Sequence, residues 1–130
     1  MNDQRTPAEV GRAAMAAVQA GQRETWLGLF ADDTRVEDPV GHLPAIVGRK
    51  ALAQFWDLGI ASLGSVEFNV TRQWDAGDEA ILLANVTLVA PNGTEAVYDG
   101  AFNYRLDGDG KIAALRAFWD LPTVAAALTA

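Results

Sequence analysis

The chain has 130 residues, half of them hydrophobic, and 17 Asp plus Glu against 10 Lys plus Arg give a net charge of −7. That size suits one domain spanning residues 1–130, with roughly two-thirds of the unfolded surface buried on folding. Several classes are excluded at once. The basic residues form no cluster that tracks phosphates, so neither nucleic acid nor an anionic membrane is an expected partner. No apolar run approaches the ~20 residues of a membrane span, and the absence of cysteine removes disulfides, thiol nucleophiles and thiolate metal sites.

The opening MNDQRTPAEV has neither the basic nor the apolar region of a secretory signal, so residence in the cytoplasm is expected. On that expectation the Asn-x-Thr sequons at Asn69, Asn85 and Asn92 are chance. Thr6-Pro7-Ala8-Glu9 has the form of a capping box with proline at the first helical position, and the alanine-rich stretch after it reads as helix as far as Gly21. Val10, Ala14, Ala17 and Val18 share its apolar face. A short second helix is predicted over Glu24–Phe30 and a third from about Arg49 to Leu63, with Leu52, Phe55, Trp56 and Ile60 on one stripe.

Beyond residue 65 the period changes from helix to strand. Val66, Phe68 and Val70 alternate with Glu67, Asn69 and Thr71, and turn signals at residues 75–78, 91–93 and 107–110 separate three further strands. Helices followed by a meandering sheet imply an α+β fold, in which a curved antiparallel or mixed sheet wraps the three N-terminal helices as a cone. The mouth of such a cone is the natural place for a ligand.

One strand precedes the third helix, in TRVEDPVG. Pro39 keeps the residue before it out of the α region, so the strand that begins near Thr34 should end at Asp38. Alternation places Thr34, Val36 and Asp38 on one face and the charged Arg35 and Glu37 on the other. Asp38 therefore faces inward with Val36. Two roles fit it: an Asx turn bonded to the N–H groups of Val40 and Gly41, or a general base whose pKa is raised by desolvation while it stays ionised at neutral pH.

LFADDTRVEDPVG, GRKALAQFW and YRLDGDGKIAALRAFW together resemble the Δ5-3-ketosteroid isomerases and their relatives in the nuclear transport factor 2-like superfamily, over residues 9–119. The resemblance implies that Asp38 takes a proton α to a steroid carbonyl and returns it two carbons along, without cofactor or metal. It also implies a homodimer. The family's two donors to the oxyanion, a tyrosine on the first helix and a protonated aspartic acid on a late strand, align with Ala14 and Phe102. Neither side chain can donate, so water, Trp119, Trp56, Tyr98 or Tyr104 must serve instead, or the chemistry differs.

The last strand puts Leu115, Ala117 and Trp119 on one face and Arg116, Phe118 and Asp120 on the other. By resemblance the first set lines the pocket together with Ala84, Val86 and Leu88. Phe55, Trp56, Phe102 and Ala14 complete an apolar slot for a steroid or a fused polyketide ring system. Three other readings remain. AFWDLPTV resembles the ending of polyketide cyclases, in which Asp120 would be the base. An epoxide hydrolase would enlist Arg116 and Asp99. A binding domain would keep the cavity and have lost the chemistry. His42, the only histidine, supports neither a zinc site nor a Ser-His-Asp set.

Overall fold

The computed structural model describes residues 5–129. Helix α1 (Pro7–Gln19) starts at a reciprocal capping box, in which Thr6 accepts from the Glu9 N–H and Glu9 accepts from the Thr6 N–H. Helix α2 (Arg23–Leu27) is shorter than the sequence suggests, because the chain turns at its cap Gly28 and Phe30 already belongs to strand β1 (Phe30–Glu37). A two-residue strand β2 (Ile46–Val47), which the sequence reading did not contain, precedes α3 (Arg49–Leu58). The predicted third helix breaks at Gly59, a residue with poor helix propensity, and resumes as a single 3₁₀ turn over Ile60–Ser62.

The long strands follow: β3 (Ser65–Ala76), β4 (Glu79–Val89), β5 (Glu95–Leu106) and β6 (Ile112–Phe118), then helix α4 (Leu121–Leu128). The turns between them place Gly77, Gly93 and Gly110 at φ of 64°, 90° and 77°, which is why glycine stands at each. All six strands form one sheet in the order β2-β1-β6-β5-β4-β3. It is antiparallel except where β1 runs parallel to β6. The fold is thus the α+β arrangement of a mixed sheet with helices on its inner face.

The inner face is apolar by strict alternation. Ala80, Leu82, Ala84, Val86 and Leu88 of β4 are all buried. Residues of adjacent strands form rows across it: Val36 is beside Leu115, Leu115 beside Tyr104 and Tyr104 beside Ala80; the next row runs Ala117, Phe102, Leu82. On β1, Thr34 and Val36 are buried, whereas Arg35 is exposed and Glu37 pairs with Arg116 at 3.0 Å on the outer face. Helix α1 packs on β3, β4 and β5, α3 packs on β1 and β2, and α4 closes over β5. No helix among the described residues is long and apolar enough to cross a membrane.

Candidate active site

Between the inner face of the sheet and the helices lies a cavity of about 370 Å³, within the range of small-molecule sites. Strand β1 ends at Glu37, and the cis peptide bond between Asp38 and Pro39 follows directly. Val40 N–H then donates to the Ala117 carbonyl at 2.8 Å and holds the departing chain against β6. Asp38, two residues beyond Val36, consequently turns its side chain inward. Among the described residues it is the only acidic one in the cavity wall.

Among the described residues the Asp38 carboxylate accepts one hydrogen bond, from Trp119 Nε1 to Oδ1 at 2.7 Å. Burial pushes its pKa above the ordinary carboxylate value, and the indole N–H, which favours the ionised form, opposes that in part. Asp38 is half-buried and lines the cavity. The backbone bond of Val40 goes to Ala117, and no bond joins Asp38 to the N–H of Val40 or Gly41. The Asx-turn role is therefore not the one the structure displays.

Seven of the eleven residues singled out from the sequence line the cavity: Asp38, Ala14, Phe55, Leu88, Phe102, Leu115 and Trp119. Trp56, Ala84, Val86 and Ala117 do not. Trp56 is buried behind Trp26, with ring centroids 5.2 Å apart, and it is Trp26 that faces the cavity. Ala84, Val86 and Ala117 point inward as alternation requires but lie in fully packed rows, each 2% exposed or less, beside larger neighbours. The Phe102 ring leans along its strand over Gly100, whose register partner is Ala84.

Asp120 is exposed and caps α4, accepting from the Thr123 N–H at 3.2 Å and from its hydroxyl at 2.9 Å, which lowers its pKa. It is absent from the cavity wall, so it cannot serve as a base there. Arg116 and Asp99 are likewise exposed, bound to Glu37 and Asn85 on the outer face. His42 is exposed, while its neighbour Leu43 reaches the cavity.

Three parts of the wall escaped the sequence reading. Trp26 enters from α2, and Ile60, Ser62 and Leu63 enter from the 3₁₀ turn and the residue after it. Helix α4 supplies Leu121, Val124, Ala125 and Leu128. Their spacing of i, i+3, i+4 and i+7 was the available signal, since it describes one apolar helix face needing a partner.

Both tyrosines of the chain, Tyr98 and Tyr104, line the cavity. Tyr98 packs on Trp119 with centroids 5.3 Å apart. Burial, and secondarily the charge on Asp38, push both phenols well above the ordinary tyrosine value, so both stay protonated. Trp119, by contrast, spends its N–H on Asp38, and Trp56 lies outside the cavity. Neither is a free donor in the wall. The whole is an apolar enclosure with one carboxylate and a few neutral donors, an arrangement able to move a proton on a carbon acid.

The chain is similar to known proteins over nearly its whole length. A Δ5-3-ketosteroid isomerase from Mycobacterium sp. is 30% identical, with 92% of this chain and 97% of that one covered and a TM-score of 0.83. The protein RV0760c from Mycobacterium tuberculosis, solved in complex with estradiol-17β-hemisuccinate, is 27% identical over 92% of this chain and 98% of that one, also with a TM-score of 0.83. A computationally designed 17-OHP binder matches with 27% identity, 92% and 97% coverage and a TM-score of 0.83. The model of the SnoaL-like domain matches residues 11–115. The chain belongs to the SnoaL-like domain family and shares its fold with the ketosteroid isomerases.

Proposed function

We propose that the protein is an isomerase that shifts a carbon–carbon double bond into conjugation with a ketone in a 3-oxo-Δ5-steroid or a similar rigid, apolar enone precursor. The observation that carries this reading is the Asp38 carboxylate in a largely apolar cavity, with its pKa raised by burial and a hydrogen bond from Trp119. The likeness to a Δ5-3-ketosteroid isomerase at 30% identity supports the reaction, and the steroid ester bound to RV0760c supports the ligand class.

Each part of the reaction has a physical counterpart. A carboxylate that is desolvated yet ionised is a stronger base than one in water, which suits the removal of a proton from carbon. As Asp38 takes the α proton, the C–H electron pair moves toward the carbonyl and negative charge gathers on its oxygen. The protonated Asp38 then gives the same proton to the γ carbon, two carbons away, and the electrons return to close the conjugated enone. Nothing is oxidised or reduced, and the carboxylate ends as it began.

The test is appearance of the conjugated enone absorbance from 5-androstene-3,17-dione with wild type and Asp38→Asn. The wild type turns over, and the variant, folded by circular dichroism, is slower by ~100- to 10,000-fold, the usual worth of a general base. Equal rates would remove Asp38 from the mechanism. A second reading, a domain that only binds steroids, is favoured by Ala14 and Phe102, which offer no donor where the family carries two. Quenching of tryptophan fluorescence by steroid with no enone formed would establish that reading instead.

A further inference from the structure

Resting on the isomerase reading, we infer that Tyr104 donates the hydrogen bond to the substrate oxygen on which charge develops. Polar side chains in the cavity wall are few, and two of the donors are already committed. Trp119 N–H is given to Asp38, and the Ser62 hydroxyl donates to the Gly59 carbonyl at 2.6 Å. Three side-chain donors have no hydrogen-bond partner among the described residues: Trp26, Tyr98 and Tyr104.

Position and solvation choose among them. Trp26 is held in an aromatic cluster, between Phe30 at 4.8 Å and Trp56 at 5.2 Å, on the helical side of the cavity. Tyr98 is only half-buried, so water competes for its hydroxyl, and its ring is tied to Trp119. Tyr104 is 3% exposed. A donor in so dry a place acts on a developing charge with little screening.

Tyr104 also shares the cavity wall with the base. The row Val36, Leu115, Tyr104 crosses two strand spacings, about 10 Å between backbones, and Asp38 follows two residues after Val36 on the same face. Both side chains line the same cavity. The phenol is seated from behind: the ring lies against Gly11 of α1, where an added Cβ would come within 2.7 Å of its Cδ1. One turn later Ala14 again presents only a methyl group to the cavity. The helix is thus cut back where the phenol passes, and the hydroxyl is held before substrate arrives.

In the reaction the Tyr104 O–H donates without surrendering its proton. Asp38 alone carries the proton between carbons, and the hydrogen bond to the oxygen strengthens while the enolate exists and weakens when the γ carbon is protonated.

The experiment compares wild type, Tyr104→Phe and Tyr98→Phe, purified as full chains and checked by circular dichroism. Phenylalanine keeps the ring on Gly11. With 5-androstene-3,17-dione, kcat of Tyr104→Phe falls ~100- to 1,000-fold at little change in KM, the usual effect of deleting one oxyanion donor, and Tyr98→Phe loses at least tenfold less. A wild-type rate in Tyr104→Phe would overturn the assignment and leave the isomerase reading standing. A second readout needs no turnover: 4-androstene-3,17-dione is bound and its enone band recorded, since a hydrogen bond to the carbonyl moves that band to longer wavelength. Wild type and Tyr98→Phe show the shift and Tyr104→Phe loses it. Were wild type inactive but the shift lost only in Tyr104→Phe, the isomerase reading would fail while Tyr104 stood as the oxygen's donor. A shift retained in Tyr104→Phe, or no shift in wild type, overturns the proposal.

Discussion

Trp119 and Asp38, 81 positions apart in the chain, are joined by one hydrogen bond of 2.7 Å from indole nitrogen to carboxylate oxygen. The bond favours the ionised carboxylate and so opposes the upward pull of burial. Trp119→Phe keeps an aromatic ring and removes the N–H, which leaves burial unopposed. On the proposed mechanism the base works ionised, so activity rises with pH through its pKa, and in the variant that rise moves to higher pH. A pH–rate profile measures the displacement; an unmoved acid limb would show that the bond does not act on the base.

Charge at Asp38 also costs stability. The native carboxyl keeps its proton to higher pH than the unfolded chain, where carboxyl groups titrate near ~3.9. Between those two values the folded state binds more protons, so stability falls as pH rises and stays reduced above the native value. Asp38→Asn retains an oxygen to accept from Trp119 and removes the charge. It is expected to resist urea better than wild type at pH 7, and the advantage should vanish below about pH 3, where both forms are neutral.

The two tyrosines give a direct optical test of the cavity. Neither phenol ionises near ~10, the ordinary tyrosine value, because both are held above it. Ultraviolet titration of the folded protein should show no phenolate through that region, followed by abrupt appearance of both when alkali unfolds the chain. The sign is the same as for Asp38: a raised native pKa makes stability fall as pH climbs past the unfolded value. Smooth titration of one tyrosine near 10 would place it in water.

Gly11→Ala adds a methyl group 2.7 Å from a Tyr104 ring carbon. Overpacking of this kind costs typically ~1–3 kcal/mol, to be read from urea denaturation. The cost should largely disappear in a Tyr104→Ala background, because the two residues share one contact and their effects cannot add. Persistence of the full penalty there would mean that the methyl group meets something else.

Much of the frame was legible because it is written in local chemistry. The capping box, the glycines of the three turns and the change of period near Ser65 each act over a few residues. Pro39 did the same for the end of β1, and alternation put Asp38 on the inner face. The misses are matters of distance. Alternation told which way Ala84, Val86 and Ala117 point but not that larger neighbours pack over them. The stripe on α3 could not tell that Trp26, from another helix, would stand between Trp56 and the cavity. The Trp119 indole was a candidate for the substrate's oxygen until the parallel pairing of β1 and β6 brought it to the carboxylate.

That parallel pairing has a consequence for how the molecule comes into being. The carboxylate is made 81 residues before the indole that grips it. Until then Asp38 lacks this hydrogen-bond partner. The finished pocket is therefore a late acquisition, and a ligand that recognises it would report that β6 and Trp119 have been made and docked.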